Sequence, residues 1–168
     1  MNNIISGETT KQAGKFAAVG VINTAVDFIV LNILIYFGFT LAFVVLGQEF
    51  LVANVISVAV AMVNSFILNK QWTFKAETAN IYLEIVKFIV VTVIGMFVVH
   101  QIIFNVLYYN LPAISSAVIS IVNILRLNSI FSNEFVRLNF AKSIAIVASL
   151  IWNFVGYKFI VFKSRANS

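Results

Sequence analysis

The chain predicts an all-α integral membrane protein, and three observations carry that prediction. Four apolar runs, about 16–37, 50–68, 88–108 and 140–157, are each long enough to cross a bilayer, which takes roughly 20 residues. Only 10% of the residues are charged and 61% are hydrophobic, whereas a soluble chain carries about 25% charged residues. Finally, the way the second run ends is repeated where the fourth run ends. Ser65-Phe66-Ile67-Leu68-Asn69-Lys70-Gln71-Trp72-Thr73-Phe74-Lys75 is answered by the stretch from Asn153 to Lys163. Phe66, Lys70, Phe74 and Lys75 recur 88 positions on as Phe154, Lys158, Phe162 and Lys163. Both copies close an apolar run with lysines among aromatic residues, as a helix does where it leaves a bilayer on its positive side.

Residues 1–14 read as a short cytoplasmic arm, and Lys15 marks the inner edge of helix one. The connection 38–49 holds Glu49 and no Lys or Arg. Between helices two and three lie Lys70, Lys75 and Lys87, beside Glu77 and Glu84. The longer connection 109–139 holds Arg126 and Arg137, with Lys142 just inside helix four, and the tail 164–168 follows the single membrane domain 15–163. With both termini inside, eight basic residues sit at cytoplasmic edges and three on or near the other side. The positive-inside rule therefore places a multi-pass protein in the cytoplasmic membrane with N- and C-termini cytoplasmic. The stretch 113–131 begins at Pro112, where a helix tolerates proline, and is broken by Ser115, Ser116, Ser120, Asn123, Arg126 and Asn128. It is expected to be an interfacial or re-entrant helix between helices three and four, because a fifth span would put the basic tail outside.

The repeat reaches further back than the exits. Residues 53–75 align without gaps on 141–163, adding the matches Ala53/Ala141 and Ile56/Ile144. Lys15-Phe16-Ala17-Ala18-Val19 resembles Lys87-Phe88-Ile89-Val90-Val91 at an offset of 72. The four helices thus read as two hairpins of the same orientation, a parallel repeat of the kind that places a binding site at the junction of halves.

Polar groups inside a span face protein or water rather than lipid. Gly20, Asn23 and Asp27 share one face of helix one at i, i+3 and i+7. Asp27 lies 11 residues in from Phe16, roughly 16 Å along the axis, and is the only acid within a predicted span. His100 lies at similar depth in helix three. The two are expected either to meet or to be satisfied separately by hydroxyls and backbone. Asn54, Ser57, Ala61 and Ser65 line helix two, with Asn64 adjacent, and Lys142, Ala145, Ser149 and Asn153 occupy the equivalent positions of helix four. Such a stripe serves helix packing or admits a ligand. Lys142 either snorkels to the surface or holds an anion such as phosphate, as Lys70 and Lys158 would at the inner edge. The tyrosines, Trp72 and Trp152 read as an interfacial belt, with sugar stacking as the alternative for the two tryptophans.

Several classes of function are excluded or disfavoured. No cysteine and one histidine leave no thiolate or His-rich metal site. No glycine-rich nucleotide loop, cofactor pattern, nucleophile–base pair or carboxylate pair is present, so neither a cofactor nor catalysis is expected. The formal charge of +5 sits at helix ends, which points to lipid headgroups and not to nucleic acid. The polar first ten residues carry no cleavage pattern, so no removable signal is expected.

Lys15-Phe16, Val19-Gly20 and Asn23, the run Phe66-Ile67-Leu68-Asn69-Lys70-Gln71-Trp72-Thr73-Phe74, and Lys142 followed by Asn153-Phe154 together resemble the GtrA family of small bacterial membrane proteins. The resemblance covers nearly the whole chain. Two departures are visible: Ser65 stands where the family usually has Asn, with Asn64 next to it, and 113–133 lengthens the outer connection. The resemblance implies translocation of a polyprenyl-phosphate-linked sugar across the membrane for cell-surface polysaccharide or teichoic-acid glycosylation. Taken with the polar faces above, it leads to expected substrate contacts from Asn23, Asp27, Asn64, Ser65, Asn69, Lys70, Trp72, Lys142, Ser149, Asn153 and Lys158. Two other readings stay open. One is a non-transporting anchor or scaffold for a polyprenyl-phosphate glycosyltransferase; the other is a small proton-coupled multidrug or cation exporter centred on Asp27. Four thin helices enclose little volume, which suits a homodimer or larger assembly.

Overall fold

The structure is a computed structural model that describes residues 7–45, 48–77, 80–127 and 130–162. Its contacts divide the chain after Ala79 into two compact units, and that boundary falls between the two copies of the sequence repeat.

The first unit opens with α1 (Gly7–Tyr36), a 30-residue helix. It reaches back well beyond Lys15, so residues 7–14 are helical, where the sequence suggested only an arm. At about 1.5 Å per residue the helix is roughly 45 Å long, longer than a hydrocarbon core of about 30 Å. The part of the helix up to Lys15, which carries Glu8, Lys11 and Lys15 ahead of the apolar run, therefore leaves length to spare for the headgroup region. Gly38 ends the helix at φ 80°, with Gly38 N–H bonded to the Ile35 carbonyl and Phe39 N–H to the Leu34 carbonyl. Only glycine adopts that left-handed turn without steric cost.

The connection between the first two crossing helices contains a small antiparallel hairpin, β1 (Ala42–Val45) and β2 (Gln48–Leu51), in register Ala42↔Leu51 and Phe43↔Phe50. Its β-branched and aromatic residues suit an extended backbone, and the Phe43 and Phe50 rings stack at 5.7 Å. The second crossing helix consequently starts at Val52, two residues later than its apolar run. It comprises α2 (Val52–Leu68) and a π-helical turn, Asn69–Thr73. Small residues bring α2 close to α1: Ala53 and Ser57 are fully buried and Ala61 nearly so, while α1 buries Val19.

In the second unit, the third crossing helix comprises α3 (Ile81–Val93), a π-helical segment Ile94–Val99, α4 (His100–Asn105) and a π-helical turn Val106–Asn110. The Asn80 side chain caps it by accepting from Leu83 N–H at 3.2 Å. Pro112 then opens α5 (Pro112–Ile124). Thirteen residues extend only about 20 Å, so α5 does not span. The fourth crossing helix, α6 (Asn133–Gly156), is capped by Ser132 accepting from Phe135 N–H at 3.1 Å and ends in the π-helical turn Tyr157–Val161.

The internal repeat is physical as well as textual. The π-turns Asn69–Thr73 and Tyr157–Val161 stand 88 residues apart, the offset of the sequence match. Each is closed by a five-residue backbone bond, Phe74 N–H to the Asn69 carbonyl at 2.9 Å and Phe162 N–H to the Tyr157 carbonyl at 2.8 Å. Burial follows the same offset: Ala53/Ala141, Ser57/Ala145, Asn69/Tyr157, Thr73/Val161 and Phe74/Phe162 are buried in both copies. Beyond these positions, large apolar side chains such as Val21, Phe28, Phe97 and Ile151 are more than half exposed. On four helices of membrane-spanning length and hydropathy, such a surface faces lipid.

Candidate functional site

Two hydrogen bonds join α1 to α2 inside the span. Asn64 Nδ2 donates to Asn23 Oδ1 at 2.7 Å, and Ser57 Oγ donates to Asp27 Oδ1 at 2.5 Å. The same Ser57 hydroxyl lies 3.0 Å from the Asn54 carbonyl. All four side chains would be costly facing hydrocarbon, and pairing them across the helix contact removes that cost. Asp27 is thus satisfied by a hydroxyl within its own unit. Gly20, which shares its face, has open space where a Cβ would stand, so close helix approach does not explain it.

At the exit of α2 the polar residues fold back on the helix. Asn69, 1% exposed, donates through Nδ2 to the Ser65 carbonyl at 2.9 Å and to Ser65 Oγ at 3.2 Å. Its Oδ1 is buried without a partner. A buried amide oxygen left unbonded costs about 1–3 kcal/mol, and such an orphan marks a place where a donor fits. Lys70 is buried, with its ammonium 5.8 Å from the centre of the Phe66 ring. Trp72 is 41% exposed; its carbonyl accepts from Lys15 Nζ at 3.1 Å, and the same ammonium lies over its ring at 5.5 Å.

The second unit builds its polar face on α6 against α3 and the π-segment that follows. Ser149 Oγ donates to the Gly95 carbonyl at 2.8 Å, and Trp152 Nε1 to the Val91 carbonyl at 3.0 Å. The Tyr157 and Thr92 hydroxyls bond at 2.7 Å, and the Tyr157 ring stacks on Phe88 at 4.6 Å. Asn153 lies half-buried against Gly95, its Oδ1 enclosed and unpartnered. A Cβ at Gly95 would collide with that oxygen, and one at Gly156 would collide with Val91. His100 keeps its ring parallel to Phe104 at 6.4 Å. Lys142 is exposed on α6, and Lys158 is half-buried with its ammonium 5.7 Å from the Phe159 ring centre.

The expected residues therefore gather into three groups: Asn23 with Asn64 and Asp27 with Ser57 in the first span pair, Ser65 with Asn69 at the first exit, and Ser149 with Asn153 around Gly95 in the second unit. Trp152 is held by its indole N–H to backbone, and the pairing with Asn23 is made by Asn64 and not by Ser65. Gly95, Gly156, Thr92 and Tyr157 do structural work that composition did not single out. The repeat offset could have flagged Tyr157, since it answers the buried Asn69. Among the described residues no three His, Asp or Glu side chains gather as a metal site.

A family model described as GtrA/DPMS, transmembrane domain, matches residues 15–162. The chain belongs to the GtrA/DPMS family. No curated protein matches it. The family match runs from Lys15, at the head of the first span, to Phe162, the last aromatic of the second exit, so it contains both hairpins and all the polar groups above. Family and fold together make this a multi-pass membrane protein with four crossing helices. Within the matched region, the Asn23–Asn64 bond joins helix one to helix two, and the Asn69 turn closes helix two.

Proposed function

We propose that this GtrA-family protein translocates a polyprenyl-phosphate-linked monosaccharide across the cytoplasmic membrane, from the inner to the outer leaflet, for cell-surface polysaccharide or teichoic-acid glycosylation. The observation that carries this reading is an enclosed, unpartnered amide oxygen on the second helix of each unit, Asn69 Oδ1 in the first and Asn153 Oδ1 in the second. A sugar supplies what they lack, because each hydroxyl is a donor. The lipid tail can stay in hydrocarbon, so the head group alone needs polar company. In this reading Asn23, Asn64, Ser65, Asn69 and Ser149 exchange their internal bonds for sugar hydroxyls, Asn153 accepts from a hydroxyl through its unpartnered oxygen, Asp27 accepts from one more, and Trp72 stacks on the ring. Lys70 and Lys158 attract the phosphate at the inner face and Lys142 receives it outside.

The expected result in purified proteoliposomes is that a lipid-linked sugar placed in one leaflet becomes accessible in the other. In cells, Lys142→Ala and Asn153→Ala should each abolish surface glycosylation while membrane insertion stays normal. Normal glycosylation in both variants would sink the assignment of these residues. The family is described as a transmembrane domain of GtrA and DPMS proteins, which favours one second reading, an anchor or scaffold for a polyprenyl-phosphate glycosyltransferase. Proteoliposomes that move no lipid-linked sugar, together with co-purification of such an enzyme, would select it.

A further inference from the structure

The first unit carries a recess that none of these residue roles uses. It holds about 160 Å³ and is lined by Glu8, Lys11, Gln12 and Lys15 from α1 and by Thr73, Phe74 and Lys75 from the exit of α2. Three ammonium groups face one carboxylate across it, a net charge of +2 on seven residues. Lys11 and Lys75 are exposed and make no ion pair with a described residue. In the wall, Thr73 is 2% exposed and its hydroxyl oxygen has no hydrogen-bond partner; the Gln12 amide oxygen is likewise enclosed and unpartnered. Lys75 takes a left-handed backbone, φ 49°, a conformation costly for any side chain other than glycine. A lysine kept there in spite of that cost, beside two others and a buried unsatisfied hydroxyl, is the arrangement of an anion site.

We propose that this recess binds a phosphate group at the membrane surface, with Lys11, Lys15 and Lys75 as its cations and Thr73 as a hydroxyl donor. The recess lies beside the start of α1, ahead of the apolar run that begins at Phe16, which on a spanning helix is the headgroup side, so a phosphate carried by a lipid can reach it without leaving the bilayer. Phosphate in solution offers the same chemistry. Glu8 in the same lining is an acceptor for a protonated phosphate oxygen. The proposal concerns binding at equilibrium and does not depend on transport.

Trp72 supplies the readout, because Lys15 lies over its ring and donates to its carbonyl. An anion that draws Lys15 into the recess changes the emission of Trp72. The full chain in detergent, carrying Trp152→Phe so that Trp72 reports alone, is titrated with short-chain phosphatidic acid, with inorganic phosphate and with short-chain phosphatidylcholine. The same titrations on the unmodified chain, with Trp72→Phe as the blank, serve if Trp152→Phe fails to fold. Saturation by phosphatidic acid alone identifies a lipid phosphate; saturation by inorganic phosphate, in competition with the lipid, identifies a soluble one. In either case Lys11→Ala and Lys75→Gly should each weaken binding by about tenfold, the loss of one charge-assisted contact. Lys75→Gly also relaxes the left-handed backbone, so weakened binding in a chain that folds at least as well separates charge from stability. No response to either phosphate, an equal response to phosphatidylcholine, or unchanged affinity in both lysine variants overturns the site. A working flippase with no phosphate response rejects this recess alone, and a phosphate response without flipping rejects the transport reading alone.

Discussion

At the scale of single residues, the membrane interior makes each polar side chain a pairing problem, and the first unit solves it twice between the same two helices. The Asn23–Asn64 and Asp27–Ser57 bonds should couple α1 to α2 measurably. Asn23→Ala and Asn64→Ala combined in a double-mutant cycle are expected to show a coupling of about 0.6 kcal/mol, the average for such bonds in membranes; additive effects in a reversible unfolding assay would show that the bond contributes nothing. The sequence placed Asn23 and Asp27 on one face, since i and i+4 neighbour each other on any helix. It did not decide between Asn64 and Ser65 as the partner, because one residue is about 100° of helix rotation and only packing against α1 fixes that angle. Lys75 is a second residue-scale case. Its φ of 49° predicts that Lys75→Gly raises stability by about 1 kcal/mol, measurable as a shift of the thermal midpoint.

Among elements, the helices were legible and their irregularities were not. Four apolar runs of membrane length leave little choice in a bilayer, where every backbone group must bond internally. Nothing in a run of Ile, Val and Phe shows where the bonding pattern slips from four residues to five, as it does at Ile94–Val99 and at both exits. The hairpin Ala42–Leu51 was hidden for a related reason, since an apolar strand and an apolar helix end look alike over eight residues. Gly156 illustrates an element contact invisible to composition. A Cβ there collides with Val91, so Gly156→Ala should destabilise the second unit by about 1–3 kcal/mol, as overpacking does. Val91→Ala introduced alongside should recover much of that loss, and failure of this rescue would show that the contact is not the cause.

For the whole molecule, the charge asymmetry of the connections predicts the orientation. The chain contains no cysteine, so single cysteines report topology without background. Thr9→Cys and Ala76→Cys should be labelled by an impermeant maleimide only from the cytoplasmic side, and Thr40→Cys and Ser132→Cys only from the outside. Labelling of Thr40→Cys from the cytoplasmic side reverses the whole arrangement. The duplication was readable because lysines and aromatics serve the bilayer exits, so Lys70/Lys158 and Phe74/Phe162 match although Gln71, Trp72 and Thr73 between them are answered by Phe159, Ile160 and Val161. What lay beyond the sequence was the recess at Glu8–Lys15 and Thr73–Lys75, which needs a helix continued past its apolar run and an exit bent back toward it.

The two π-turns also show what the repeat has kept. Each is the last turn of its helix, since Phe74 and Phe162 directly after them are already non-helical, and π-turns close helices at their C-termini in this way. Because both turns begin at the same step of their copies, Lys70 and Lys158 each take the second place in the closing turn, and each ammonium comes to rest near a phenylalanine ring, 5.8 Å from the centre of Phe66 and 5.7 Å from that of Phe159. The two rings come from different positions of the two copies, one before its lysine and one after it. What recurs is therefore a manner of ending a helix, a cation against a ring at the closing turn, and not a set of identical side chains.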